Sequence, residues 1–222
     1  MSKLIIKFPT RNRPEKFKQV LQLYIDGLSN KHEVKFVITM DNDDLSMNNE
    51  DMKSWLDALP VNIKYNYGNS KSKIEAVNAD LENEDGDVLL LASDDMFPQL
   101  QNYDDIIFES YKECFPDFNG AIKFHDGLRN DNLMTLCVMG WKLYKEFGYI
   151  YNPEYLSVYA DNEQTIVLQK MNKFAVSPLC IISHNWTSEP WDELHARNEN
   201  GDMYSKDRLV FEKRMKEILT SI

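Results

Sequence analysis

Apolar residues in the first half of the chain follow two alternating rhythms. Short, nearly unbroken runs (KLIIKF, EVKFVITM, DVLLLA) are separated by longer segments in which apolar positions recur every three or four residues. The segment from Pro14 to Leu28 carries Phe17, Val20, Leu21, Tyr24, Ile25 and Leu28 at helical spacing. Pro14 suits a first helical turn, where no amide hydrogen is needed. A short helix is predicted over Glu50 to Ala58, a third strand over VNIKYNY, and a helix over Ser70 to Glu82, in which Ile74, Val77, Ala79 and Leu81 interleave with polar positions. Strands spaced by helices predict an α/β fold with a mostly parallel, mixed sheet flanked by helices, and VLLLA reads as a strand buried on both faces. Ligands bind such sheets at the carboxyl ends of the strands, near the point where strand order reverses. The polar stretches Pro9 to Arg13, Asp41 to Asp44 and Ser93 to Met96 are therefore predicted to meet at one crevice.

The second half is less regular. Helices are predicted over Asp104 to Phe115, Trp141 to Phe147 and Asp161 to Met171, and short strands in GAIKF and TLCVMG. Tyr149 to Tyr155 reads as a tyrosine-rich loop, and FAVSPLCIISHNW supplies one or two strands ending at His184. From Thr187 to Ser205 the chain is polar with few periodic residues, which predicts a lid or tail before a last helix over Lys206 to Leu219. With 222 residues and no repeat, low-complexity tract or clear linker, one domain over 1–222 is expected.

Charge narrows the partners. A net charge of -11 and a pI near 4.9 disfavour broad binding to nucleic acid or to anionic membranes, because long-range steering is repulsive. Lys71 with Lys73, and Arg197, Lys206, Arg208, Lys213 and Arg214, remain as local basic groups. No apolar run approaches the roughly 18 residues of a membrane span, and LIIKF is too short for a secretory signal. Cys114, Cys137 and Cys180 are odd in number and widely spaced, which suits reduced thiols. A soluble, cytoplasmic protein without stable membrane association is expected.

Asp94 and Asp95 stand side by side directly after VLLLA, where their like charges repel. An oxygen-rich turn of this kind suits a hard divalent cation, Mn²⁺ or Mg²⁺, with open positions left for phosphate oxygens. Solvated turn chemistry is the plain alternative.

The order of PTRNRPEKFKQVLQ, VITMDNDD, KSKIEAVNADLENEDGDVLLLASDDMFP, YADNEQTIVLQK and ISHNW resembles the family 2 glycosyltransferases of the GT-A fold, from about Lys3 to Trp186. The helix KIEAVNADL, with Asn78, is similar to the segment preceding that family's metal motif, and SDDM stands where its DxD stands. Ala92 departs from the pattern by occupying the place of a first Asp, which leaves Asp94 and Asp95 as metal ligands. The resemblance implies a nucleotide-sugar donor, with a UDP-sugar favoured, and an inverting transfer to an acceptor hydroxyl. Residues 1–98 are then expected to bind the donor, 99–186 the acceptor, and 187–222 to form a lid or tail and helix. Thr10, Arg11, Arg13, Asp41, Asp43, Lys73, Asn78 and Asp94 are the donor-side candidates. Asp161 in YADNE matches the place of the catalytic base, with Glu163 as the alternative and a helix cap as the plain role. The resemblance implies that His184 in ISHNW completes the metal site or contacts the diphosphate, with a hydrogen-bonded structural residue at a strand end as the plain alternative, and that Trp186 and Trp191 cover the donor. His125, Asp126, Tyr159 and Glu163 are the acceptor-side candidates. A glycan, a protein or a hydroxylated base of phage-type DNA fits as acceptor. Two rivals stand: a sugar nucleotidyltransferase, disfavoured because no glycine precedes Gly27, and a non-catalytic nucleotide- or glycan-binding module.

Overall fold

The computed structural model describes residues 1–185 and 193–220, apart from the side chains of 193, 195 and 219. Apolar residues on both faces of the first strand are explained by its position. β1 (Lys3–Pro9) lies inside a seven-stranded sheet of order β3-β2-β1-β4-β7-β6-β8. β2 (Glu33–Asp41) and β4 (Val88–Leu91) flank β1 in parallel, and β3 (Asn62–Gly68) continues in parallel beyond β2. β7 (Val138–Gly140) runs antiparallel to β4 and to β6 (Ala121–Lys123), and β8 (Phe174–Val176) pairs in parallel with β6.

Alternation along β1 divides the core. Leu4, Ile6 and Phe8 pack with Phe17, Val20, Leu21 and Tyr24 of α1 (Pro14–Asp26) and with Tyr103, Ile107 and Phe108 of α4 (Tyr103–Cys114). Met52 and Leu56 of α2 (Glu50–Asp57) join the same side. Ile5, Leu89 and Leu91 belong to the other side, with Ile74 and Val77 of α3 (Lys73–Asn78), Trp141 and Leu143 of α5 (Trp141–Phe147) and Leu168 of α6 (Ala160–Lys170). Lys7 interrupts this second set. Its ammonium is fully buried, donates to Thr39 Oγ1 and lies 4.0 Å from Asp80. Burial pulls its pKa down to about 7 against the attraction of Asp80.

Three local readings are corrected. The helix expected over Ser70 to Glu82 spans only Lys73–Asn78. Ser72 caps it by accepting from the Glu75 amide at 3.1 Å, and it ends because Ala79 is extended and Asp80 is left-handed at φ 66°. A three-residue strand, β5 (Met96–Pro98), was not anticipated; it pairs antiparallel with β9 (Ile182–His184), bringing Met96 opposite His184. The expected lid or tail is helical where it is described. α7 (Glu193–Asn198) and α8 (Gly201–Thr220) account for it, α8 starting before Lys206, while Trp186 and Trp191 lie outside the described residues. Among the described residues no helix is long and apolar enough to cross a membrane.

Candidate active site

From β1 the chain passes outward to β2 and β3, then returns to β4 on the other side of β1, so the loops after β1 and β4 diverge at their carboxyl ends. A cavity of about 760 Å³ opens there. Thr10, Arg11 and Arg13 enter it from the loop after β1, Asp41 from the end of β2, and Asp94 and Asp95 from the turn after β4. Lys73 from α3, Tyr159 and Asp161 from the start of α6, and His184 from β9 complete the predicted residues on its wall.

The adjacent carboxylates turn to different partners. Asp94 accepts from Arg13 Nη1 at 2.7 Å and from Thr10 Oγ1 at 3.2 Å, which ties the β4 turn to the β1 loop. Burial pushes its carboxyl above the ordinary range, against the pull of Arg13. Asp95 accepts from Ser93 Oγ, and its Oδ2 lies 3.5 Å from His184 Nε2. Burial raises the Asp95 carboxyl, but His184 and Ser93 together outweigh it and hold the group well below the ordinary range. The repulsion implied by the sequence is thus relieved separately at each carboxylate.

Among the described residues no three His, Cys, Asp or Glu side chains cluster as a metal cage. Hard divalent cations commonly take one or two protein carboxylates and fill the remaining positions with water and phosphate oxygens; imidazole is a less usual donor for them than carboxylate, and the transition ion Mn²⁺ takes one more readily than Mg²⁺. Asp95 and His184 fit that smaller donor set. Both reach the cavity, and His184 Nδ1 is buried without a hydrogen-bond partner among the described residues. Asp94 fits it less well than the sequence suggested, because Arg13 and Thr10 already engage both of its oxygens. Replacing Arg13 by Met strands that carboxylate in a buried site. The expected cost is roughly 3 kcal/mol, read as a lowered Tm at pH 7 that recovers toward the wild type as acid protonates Asp94.

At the ends of β1 and β2, Arg11 Nη1 donates to Asp41 at 2.7 Å, and the guanidinium grips Asp43 through 2.6 and 3.0 Å bonds. Asp43 lies off the main cavity, in an adjoining hollow shared with Arg11 and Arg197. Asp41 also accepts from the Ser70 amide at 3.1 Å, and Arg197 of α7 approaches it at 3.8 Å. Lys73 makes no hydrogen bond or ion pair among the described residues, so its ammonium is available to an anionic ligand.

Asp161 occupies the second position of α6, two residues past the cap position held by Tyr159. Its Oδ1 accepts from the Asn162 amide at 2.9 Å, and no ion pair engages it among the described residues. Burial pushes its carboxyl above the ordinary range, with Lys73 pulling the other way. A partly desolvated, unpaired carboxylate on a cavity wall has the chemistry of a proton acceptor.

Besides Asp43, four expected site residues are not on this wall. Asn78 donates to the Tyr151 carbonyl at 2.6 Å and accepts from the Ile150 and Tyr151 amides, so its amide group is used to hold that loop. Glu163 is buried and bound by Asn152, Tyr155 and Arg214. Asp126 accepts from Leu128, Arg129 and Thr135 at 2.9, 2.8 and 2.6 Å, and His125 Nδ1 accepts from the Gly127 amide at 2.9 Å. These two order a loop whose Arg129 and Thr135 do reach the cavity. Arg129, Tyr151, Arg197 and Tyr204 line it too; the sequence marks Arg197 only as a local basic group, and isolated polar or aromatic residues carry no periodic signal that would place them at the site.

No family model matches the sequence, and no curated protein matches it. Solved structures do. A mannosyltransferase from Pyrobaculum calidifontis, PcManGT, in complex with GDP-Man and Mn²⁺, superposes with a TM-score of 0.65 at 13% identity, over 88% of this chain and 60% of that one. TarS 1-349 of S. aureus superposes with a TM-score of 0.57 at 14% identity, over 79% of this chain and 58% of that one, and it has also been solved with UDP-GlcNAc. The chain therefore spans a little under two thirds of these neighbours. At such identities the likeness speaks for the fold, and the fold is that of the GT-A-type glycosyltransferases.

Proposed function

We propose that the protein is a divalent-metal-dependent, inverting glycosyltransferase that moves a sugar from a nucleotide-sugar donor, a UDP-sugar favoured, to an acceptor hydroxyl. The observation that carries this reading is the sharing of one cavity by an unpaired, partly buried carboxylate, Asp161, and by the Asp95 and His184 pair. The solved neighbours, which hold GDP-Man with Mn²⁺ or UDP-GlcNAc, support the donor class.

Asp95 and His184 would hold Mn²⁺ or Mg²⁺. When bound, that cation supplies Lewis-acid stabilisation to the departing nucleoside diphosphate. Lys73 adds a positive charge on the same wall, and Arg13 fixes the turn that presents Asp95 by anchoring its neighbour Asp94. Arg11 orients Asp41, whose carboxylate faces the nucleotide end as an acceptor for base or ribose donors. In the reaction the acceptor oxygen attacks the anomeric carbon and Asp161 takes its proton. The bond from that carbon to the phosphate oxygen breaks, and the nucleoside diphosphate leaves with the electron pair. A single displacement of this kind inverts the anomeric centre. Glycan, protein and hydroxylated DNA base remain as acceptor classes, all offering a hydroxyl.

A panel of nucleotide sugars incubated with Mn²⁺ tests the reading without knowledge of the acceptor. Slow release of nucleoside diphosphate from one or a few donors, abolished by chelator, is expected. Absence of hydrolysis together with metal-independent UDP binding would remove the enzyme assignment and favour a binding module.

A further inference from the structure

The base proposed above sits at the end of a loop that another element holds. Asp207 lies in the second turn of α8 and is fully buried, unusual for a carboxylate with no cation bonded to it among the described residues. Its oxygens accept from three consecutive backbone amides, Leu156 at 2.9 Å and Ser157 and Val158 at 2.8 Å each. Successive amides turned toward one anion form a concave cradle that holds a carboxylate in one place. The next residue, Tyr159, is left-handed at φ 64°, stacks on Phe211 of α8 with ring centroids 5.4 Å apart, and leads into α6. Asp161 follows two residues later. Farther along α8, Arg214 Nε bonds Glu163 at 2.6 Å and its Nη1 bonds Glu154 at 2.9 Å. Ser157, Val158 and Tyr159 line the cavity that contains Asp161.

We propose that Asp207 is a positioning residue for the transfer reaction: it fixes the backbone of residues 156–158 and, through that loop, the place of Asp161 on the cavity wall. The proposal rests on the reading of Asp161 as the base. It adds that α8, at the far end of the sequence, is part of the catalytic apparatus while touching none of the reacting atoms through Asp207. An asparagine in the same place keeps the shape but turns an N–H₂ group toward backbone N–H donors, so the cradle opens.

The test compares the wild type with Asp207→Asn by amide hydrogen exchange over residues 156–162, by a carbon-detected NMR titration of the Asp161 carboxyl, and by steady-state turnover of the donor found in the panel. Lys73, His184, Arg129, Tyr151 and Tyr204, the charged or titratable groups that act on that carboxyl among the described residues, are unchanged in the variant. Expected are faster exchange at the three amides and an Asp161 carboxyl that titrates closer to its ordinary value as water reaches it. The acid limb of the rate profile should move to lower pH, and kcat should fall by about 100-fold with donor KM little altered, the scale of loss for a catalytic group displaced by about an ångström. Unchanged protection, or lost protection with an unchanged Asp161 titration and kcat, overturns the proposal. A wild type that turns over no donor sinks the transferase reading instead, while exchange and titration still decide whether Asp207 positions Asp161. If Asp207→Asn does not fold, Phe211→Leu removes the ring partner of Tyr159 and is read by the same three measurements, with the same outcomes for and against.

Discussion

Asp161→Asn is expected to abolish sugar transfer while leaving donor binding within a few-fold of the wild type. Asparagine keeps the volume and the bond to the Asn162 amide but cannot accept the proton of the attacking hydroxyl. Loss of a positioned base costs about 10² to 10⁴ in rate. In the proposed arrangement the diphosphate meets Lys73 and the Asp95 and His184 site, and Asp161 forms no hydrogen bond or ion pair with any of these among the described residues. The pH dependence follows from burial. Because desolvation raises the Asp161 carboxyl, its basic form is lost as pH falls through that raised value, so the acid limb should lie above the ordinary carboxylate range of about 3.9. An acid limb at or below that figure, or retained turnover in the variant, removes Asp161 from the role of base. Glu163→Gln separates chemistry from stability. It disturbs the Asn152, Tyr155 and Arg214 network and should lower Tm, with much less effect on kcat than Asp161→Asn.

The second large effect is expected at Asp95. Asp95→Ala removes the one carboxylate of the proposed metal pair, and metal-dependent UDP affinity should fall by at least about 100-fold, since even groups that only support a metal ligand cost about 10 to 100-fold when removed. Asp94→Asn should behave differently. It weakens the tie between the β1 and β4 loops and lowers stability, but the response of UDP binding to Mn²⁺ should persist. Calorimetric titration of UDP with and without chelator distinguishes the two. Equal metal dependence in the wild type and Asp95→Ala would move the metal elsewhere, and its loss in Asp94→Asn alone would return it to Asp94.

What the sequence makes visible is what periodicity can carry. β1, β2 and β4 are apolar on both faces because each is covered on both sides, so their carboxyl ends, and with them Thr10, Asp41 and Asp94, could be placed beforehand. The separate fates of Asp94 and Asp95 could not. They depend on Arg13 lying 81 residues away along the chain, and on β5 pairing with β9 to bring Met96 opposite His184. A strand as short as Met96–Pro98 offers no alternation to read. Asn78 shows the opposite limit. The resemblance of its helix to the segment before the family's metal motif implies a donor-side role, yet the Tyr151 backbone uses both ends of its amide. In α8 the start was obscured because the inward stripe of Met203, Asp207, Val210, Phe211 and Arg214 places a carboxylate and a guanidinium where an apolar pattern would have announced a buried face. Those two residues find their partners only in the folded molecule, at the 156–158 amides and at Glu163.

The most direct test is anomalous diffraction at the manganese edge from crystals grown with UDP and Mn²⁺. A single peak bridging the diphosphate to Asp95 and His184, with Asp94 still joined to Arg13, is the expected result. Diphosphate bound in the cavity with no peak at that pair, or with both side chains turned away from the ion, would contradict the account.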